Sequence, residues 1–186
     1  MSLRSLLEWD ARLSEIMRVA EKPGALRSLA VFFAHSGDSW FWGMALLLLW
    51  LISNSQWRRW TIVEFLSISV LAALVMAIKF LVRRKRPEGE WGGIYRNTDP
   101  HSFPSGHAAR AFLIAVIGSA LGPAWLGWVL WLWAPLVALA RVAMGVHYVS
   151  DVVAGALIGI VVAAIGLEFY EPVLLGLARW LGLYLW

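Results

Sequence analysis

Residues 111–140 contain no charged side chain. A transmembrane helix needs about 20 apolar residues, so this run is too long for one simple span. Gly122-Pro123 divides it into a predicted helical hairpin of residues 105–121 and 124–144. The chain as a whole is 60% hydrophobic with a mean hydropathy of +0.68, whereas soluble domains are nearer half apolar. These features predict an integral membrane protein.

Further apolar runs predict the rest of the membrane core. Spans are expected over residues 40–53, about 61–82 and about 148–168, with a short polar turn at 54–59. Residues 173–186 are rather short to span and contain Arg179, so they form either an interfacial helix or a short sixth span. The predicted fold is therefore all-α: a multi-pass helix bundle in the cell or inner membrane, with about five to six transmembrane helices.

The chain is predicted to form one membrane domain over residues 1–186. Residues 1–24 form an amphipathic interfacial helix, because leucines share one face of residues 3–21 and charges lie mostly on the other. Residues 39–168 make the transmembrane core, and residues 173–186 make a short C-terminal helix. Within this layout the loop at 83–104 and the turn at 141–147 lie on the same side of the membrane.

Charge is concentrated beside that loop. The net charge is +4, and residues 79–110 hold seven of the sixteen Lys and Arg residues against three acids. Nucleic-acid binding is not expected, because the cluster lies between apolar runs and has no aromatic stacking ladder. An anionic small group or a lipid headgroup is the expected partner. The absence of cysteine excludes disulfides, thiolate metal sites and cysteine nucleophiles.

The first reactive cluster runs from Lys79 to Pro87. Lys79 lies a turn or two inside a predicted membrane helix, where a charge is costly and marks a functional candidate. Snorkelling to the nearby surface is the alternative. Residues 83–85 are predicted to be headgroup or surface charges. Arg86 precedes a proline, which forces the chain out of helix and places this side chain at the loop entry.

The second and third clusters supply histidines. Pro104-Ser105-Gly106-His107 stands where a helix is predicted to begin, and free backbone N–H groups at such a start attract anions. The alternatives are a common helix cap and a satisfied buried histidine. The third cluster runs from Arg141 to Asp151. His147 and Asp151 are four residues apart, so on a helix they share a face and the carboxylate can orient the imidazole; a purely structural pair is the alternative.

These clusters resemble the three signatures of the type 2 phosphatidic acid phosphatase superfamily. Lys-x6-Arg-Pro is matched by Lys79, Arg86 and Pro87, Pro-Ser-Gly-His by residues 104–107, and Arg-x5-His-x3-Asp by Arg141, His147 and Asp151. Ala140 stands where that family usually has serine, so a hydroxyl contact to phosphate is expected to be missing. The motif context looks most like the branch acting on polyisoprenoid phosphates and diphosphates, including presqualene diphosphate.

The resemblance implies a metal-independent lipid phosphatase with a phosphohistidine intermediate and no cofactor. His147 would attack phosphorus, Asp151 would orient it, and His107 would protonate the leaving group. The expected phosphate ligands are Lys79, Arg86, Ser105, Gly106 and Arg141. Counting positively charged residues places the side with the 83–104 loop in the cytoplasm. In bacterial members of the family the active site usually faces outward, so both orientations stay open.

Three alternatives remain at the sequence level. Vanadium haloperoxidases share this pocket, although they are soluble proteins. The second alternative is a non-catalytic protein that binds or transports lipid phosphates. Such a protein would keep the scaffold but would have lost catalytic residues. Two histidines with one aspartate could ligate zinc, but the neighbouring Lys and Arg side chains would repel a cation, so no metal is expected.

Overall fold

A computed structural model describes residues 3–89, 91 and 99–181 of the chain. Those residues contain helices and no strand, which confirms the all-α prediction. The helices are α1 (Leu3–Ile16), α2 (Ala25–Ser36), α3 (Ser39–Ile52), α4 (Ser55–Val82), α5 (Gly106–Leu121), α6 (Ala124–Ala143) and α7 (Val149–Leu181).

The helix lengths and surfaces are those of an integral membrane protein. By length and apolar composition, three helical stretches are able to cross a bilayer: Ser55–Val82, Ala124–Ala143 and Val149–Tyr170. Two shorter apolar helices, α3 and α5, complete the predicted core. Large apolar side chains point outward from most of these helices, among them Trp128 and Leu132 of α6. Such an outer face is stable against lipid and unfavourable in water.

Helix α5 lies at the centre and packs against α4, α6 and α7. Its small residues Ala108, Ala109 and Ala111 are fully buried. On α7, Gly155 and Gly159 face this helix so closely that an added Cβ would collide with the backbone of Ser105 or Ala109. Small residues spaced four apart are what allow membrane helices to approach this closely. The contact brings the beginning of α5 against the beginning of α7.

The C-terminal region differs from the prediction. A stop near Glu168 and Pro172, followed by a separate helix over residues 173–186, was expected from the acids and the proline. Instead α7 continues from Val149 to Leu181 with Pro172 inside it. Proline removes one backbone donor, but a long membrane helix tolerates that loss. Residues 182–186, and residues 1 and 2 of the predicted N-terminal helix, lie outside the described residues.

The N-terminal helix docks on the bundle with its polar residues. Asp10 and Ser14 of α1 are buried. Their oxygens accept hydrogen bonds from the free backbone N–H groups at the start of α7, Ser150 to Asp10 Oδ1 at 2.9 Å and Val149 to Ser14 Oγ at 3.0 Å. These N–H groups have no partner within their own helix, so α1 caps α7 from outside. Helix α1 ends at Ile16, earlier than predicted, and its interfacial location stays a prediction.

Candidate active site

The three sequence clusters meet around one cavity of about 200 Å³. Its polar end is lined by Lys79 and Arg86 of the first cluster, Gly106 and His107 of the second, and Arg141 and His147 of the third. Its other wall is apolar and belongs to α4: Ile68, Leu71, Ala72, Val75 and Met76. Ser105 and Asp151 do not line the cavity. They are joined to each other, because the Ser105 N–H donates to the Asp151 carbonyl at 2.9 Å.

His147 is held in the turn between α6 and α7. Gly145 enters this turn with φ +66°, a left-handed conformation that glycine adopts without strain. Arg86 Nη1 lies 3.2 Å from His147 Nε2. A guanidinium can only donate, so Nε2 must present its lone pair and Nδ1 carries the proton. Burial lowers the pKa of His147 well below 6.5, and Arg86, Arg141 and Lys79 lower it further, which leaves a neutral imidazole with its lone pair at the cavity.

Asp151 faces the other nitrogen of that imidazole. Its Oδ2 lies 3.6 Å from His147 Nδ1, longer than the hydrogen bond expected from the four-residue spacing. The carboxylate is fully buried and is bound more tightly elsewhere. Oδ2 accepts from the Tyr148 N–H at 2.9 Å, and Oδ1 accepts from Arg84 Nη1 at 2.8 Å. Two donors therefore hold Asp151 beside the His147 imidazole.

The prediction that Arg84 is a headgroup or surface charge is therefore wrong. Its side chain is mostly buried, and its guanidinium bridges two acids, Asp151 and Asp10 of α1. It also lies over the Tyr148 ring, with Cζ 3.9 Å from the ring centroid. One signal in the sequence points to this pairing. Asp10 is an acid in an amphipathic helix, and an acid on a face that becomes buried needs a partner.

The two cations of the first cluster converge on a carboxylate that the motifs do not contain. Lys79 is almost fully buried, so it does not snorkel, and its Nζ lies 2.9 Å from Asp99 Oδ2. Arg86 Nη2 lies 2.8 Å from the same oxygen. Lys79 Nζ also donates to the His101 carbonyl at 2.6 Å. An anion is thus already bound between the two cations that were expected to hold phosphate.

The beginning of α5 provides further groups for an anion. Ser105 is fully buried, and its Oγ has no hydrogen-bond partner among the residues that the structure describes. An orphaned hydroxyl at a helix start is suited to a ligand oxygen. His107 lies two residues after Ser105. It contacts Asp38 from the connection between α2 and α3, with Nε2 2.8 Å from Oδ1. Asp38 was not among the predicted residues.

Two arginines complete the surroundings of the cavity, together with Ala140, which stands where the resembling family usually has serine. Arg141 is fully buried and lines the cavity. Arg110 of α5 is buried and donates to the Gly37 carbonyl at 2.6 and 2.8 Å. It therefore anchors the α2–α3 connection. Ala140 belongs to an apolar cluster that includes Ala30 and Ala34 of α2, which gives its methyl group a packing role.

The sequence profile described as the PAP2 superfamily matches residues 61–173. A decaprenylphosphoryl-5-phosphoribose phosphatase of Mycobacterium tuberculosis (strain ATCC 25618 / H37Rv) is 36% identical over 152 residues, covering 79% of this chain and 81% of the relative. A probable lipid phosphate phosphatase beta of Arabidopsis thaliana is 30% identical over 193 residues, covering 88% and 90% of the two chains.

Solved structures agree with the fold. Aquifex aeolicus LpxE superposes with a TM-score of 0.68 at 27% identity, covering 85% of this chain and 94% of that one. A PAP2-type phosphatidylglycerolphosphate phosphatase from Bacillus subtilis gives a TM-score of 0.73 at 22% identity, covering 90% and 87%. At that identity the second likeness concerns the fold alone. The described helices therefore follow an arrangement already seen in transmembrane proteins.

Proposed function

The chain belongs to the PAP2 superfamily and is a lipid phosphate phosphatase, and we propose that it cleaves a polyisoprenyl phosphate or diphosphate through a phosphohistidine at His147, without a metal. Two relatives support the lipid class: the mycobacterial phosphatase above and an undecaprenyl-diphosphatase of Sulfolobus acidocaldarius, 32% identical over 139 residues and covering 72% of this chain and 66% of that one. Phosphatidate and phosphatidylglycerol phosphate are the other lipid substrates to be tested.

One observation carries the proposal: a single cavity has a cationic end with two histidines and an apolar wall. Lys79, Arg86 and Arg141 supply three positive charges for phosphate oxygens, and the wall of α4 suits a hydrocarbon tail. Cations placed at developing negative charge are the largest contribution that a protein makes to phosphoryl transfer. The same cations disfavour a bound metal ion, which supports chemistry by side chains alone.

The first step transfers the phosphoryl group to His147. The Nε2 lone pair forms a P–N bond while the P–O bond to the leaving group breaks. His107 gives its proton to the leaving oxygen, which becomes a lipid alcohol, or a lipid monophosphate when the substrate is a diphosphate. Asp151 stabilises the positive charge that develops on His147. The Ser105 hydroxyl and the Gly106 N–H hold phosphate oxygens beside Lys79, Arg86 and Arg141.

The second step returns the enzyme to its starting state. Water attacks phosphorus, a new P–O bond forms and the P–N bond breaks. His107, now neutral, takes the proton from that water. Inorganic phosphate leaves and the lone pair returns to His147 Nε2. The proton lost by His107 in the first step is recovered in the second, so no further proton source is needed.

The experiment is phosphate release by the purified protein in detergent with EDTA present. Isoprenyl phosphate, isoprenyl diphosphate, phosphatidate and phosphatidylglycerol phosphate are compared, and His147→Ala is assayed alongside. We expect metal-independent release that is fastest with the isoprenyl substrates and absent in the variant. Activity that survives His147→Ala, or that disappears with EDTA, would contradict the proposed chemistry. A preference for phosphatidate would overturn only the substrate assignment.

A further inference from the structure

Asp38, at the connection between α2 and α3, contacts the histidine that the proposal uses as acid. Its Oδ1 lies 2.8 Å from His107 Nε2, and its Oδ2 lies 3.0 Å from His35 Nδ1. Trp40 Nε1 donates to Oδ2 at 3.3 Å. Partial burial opposes ionisation, but hydrogen bonds from His107 and His35 outweigh it and hold the pKa of Asp38 well below its ordinary 3.8. Asp38 is therefore a carboxylate throughout the neutral range.

The charges around His107 explain why an anion is required there. Arg110 lies on the same helix and Arg141 comes from α6, and both are buried. Across the cavity stand Lys79, Arg86 and the imidazole of His147, with Asp99 between the two cations. Cationic neighbours and burial both disfavour a protonated imidazole. A histidine that must donate a proton in this setting needs a nearby carboxylate, and among the described residues Asp38 is in contact with it.

The contact also leaves one imidazole nitrogen for the reaction. The Cδ2 edge of the ring faces Gly37, and Nε2 on the same edge is bound by Asp38. Only Nδ1 is then left to donate to a leaving oxygen. The arrangement matches the role of a carboxylate that fixes one nitrogen of a catalytic histidine and stabilises its charged form.

We propose that Asp38 is a positioning residue for the acid step: it binds His107 Nε2–H, favours the imidazolium form against the surrounding cations and burial, and so directs Nδ1–H to the leaving oxygen. The inference rests on the proposed function. In the transfer step the Nδ1–H bond breaks as the proton moves to the leaving oxygen, and the neutral imidazole keeps its Nε2–H···Asp38 bond. In the hydrolysis step Nδ1 takes a proton from water, which restores the imidazolium.

The test uses Asp38→Asn in the full-length chain, with an alkyl phosphate lipid and an aryl phosphate as substrates. An aryl oxide leaves without protonation, so loss of the acid affects it little. General acid catalysis contributes about 10²–10⁴-fold. We expect kcat/KM for the alkyl substrate to fall about 100-fold, against less than about fivefold for the aryl substrate. The alkaline limb of the alkyl pH–rate profile should move to lower pH by about one to two units, because the imidazolium loses its anion.

Two further variants separate an acid role from a structural one. His35→Gln removes one of the two partners of Asp38 Oδ2 and leaves the Oδ1 contact to His107, so the alkyl-to-aryl ratio should be retained. His107→Ala should reproduce the selective alkyl loss, and adding Asp38→Asn to it should change the ratio no further. Equal loss on both substrates in Asp38→Asn, or an unmoved alkaline limb, would overturn the inference.

A readout independent of turnover is NMR of ¹⁵N-histidine protein carrying His147→Ala in micelles. The midpoint of the His107 titration should fall when Asp38→Asn is added, and an unchanged midpoint would refute the assigned role. The wild-type and His147→Ala assays identify the other kind of failure. No phosphate release by wild type, or full release by His147→Ala, would refute the proposed function itself. If wild type releases phosphate, His147→Ala does not, and Asp38→Asn keeps wild-type activity on both substrates, only the present inference is refuted.

Discussion

Asp10→Asn should weaken both the fold and the catalytic dyad, although α1 is distant in sequence from every motif. Arg84 Nη2 lies 2.6 Å from Asp10 Oδ2, and Arg84 Nη1 lies 2.8 Å from Asp151 Oδ1. Asparagine has nearly the same shape, and its carbonyl can still accept from the Ser150 N–H. With the carbonyl in that place, the amide NH2 replaces Oδ2, so the substitution removes both the charge and the hydrogen-bond acceptor at one end of the Arg84 bridge.

The magnitude follows from burial. The side chains of Arg84 and Asp10 are 17% and 10% exposed, so solvent screens them far less than a surface pair, which contributes about 0.2–1 kcal/mol. Hydrogen bonds to charged groups contribute about 1.5–3 kcal/mol. We expect a loss of about 2 kcal/mol in the free energy of unfolding, or about 30-fold in the equilibrium constant. Because Asp151 loses part of its support, kcat/KM should fall about tenfold, as for other groups that orient a reactive side chain.

The assay is a double-mutant cycle of Asp10→Asn and Arg84→Gln, with unfolding followed in mixed micelles and phosphate release measured on the same samples. The coupling free energy should be about 1.5–2 kcal/mol. Glu8→Gln is the matched control on the same helix, because its ion pair with Arg4 is largely exposed and its loss should lie within error. A coupling below about 0.5 kcal/mol, the range of exposed pairs, would refute the argued role of Arg84.

Three other predictions concern groups at the cavity. Asp99→Asn frees Lys79 and Arg86 from a competing carboxylate, so the Kd for vanadate should tighten about tenfold by titration; weaker binding would mean that Asp99 instead holds the cations in place. Ser105→Ala should lower kcat/KM about tenfold with an unchanged melting temperature, since the hydroxyl has no hydrogen-bond partner among the described residues; a lower melting temperature would assign it to packing. The folded pKa of His147 lies below 6.5, so below pH 6.5 the unfolded chain binds a proton that the folded chain does not, and stability should fall as pH decreases from 6.5 towards that folded pKa. His147→Gln should flatten this dependence in pH-stepped unfolding, and an equally steep profile in the variant would contradict the buried neutral imidazole.

The helices could be predicted because the bilayer imposes a length on them. The hairpin of residues 105–121 and 124–144 corresponds to α5 and α6 within one residue at each end, as a charge-free run divided by Gly122-Pro123 leaves few other boundaries. The C-terminal region was harder. A proline next to acids normally ends a helix in water, but in α7 the helix passes through Pro172.

The motif residues could be placed together because their spacing and the alternation of spans bring two loops to one end of the bundle. Their polar partners could not. Asp10 lies 74 residues from Arg84, and Asp38 lies 69 residues from His107. Such pairs depend on how helices pack, which no local pattern encodes. The usable signal is chemical: an acid beside an apolar run needs a partner.

The most direct test of the account is rapid quenching of the enzyme with a ³²P-labelled isoprenyl phosphate, in EDTA, within the first turnover. The denatured protein should carry label that is stable to base and labile to acid, as a phosphohistidine is, and peptide mapping should locate it at His147. His147→Ala should carry none. Label on another residue, or a full burst of product with no labelled protein, would contradict the phosphohistidine mechanism.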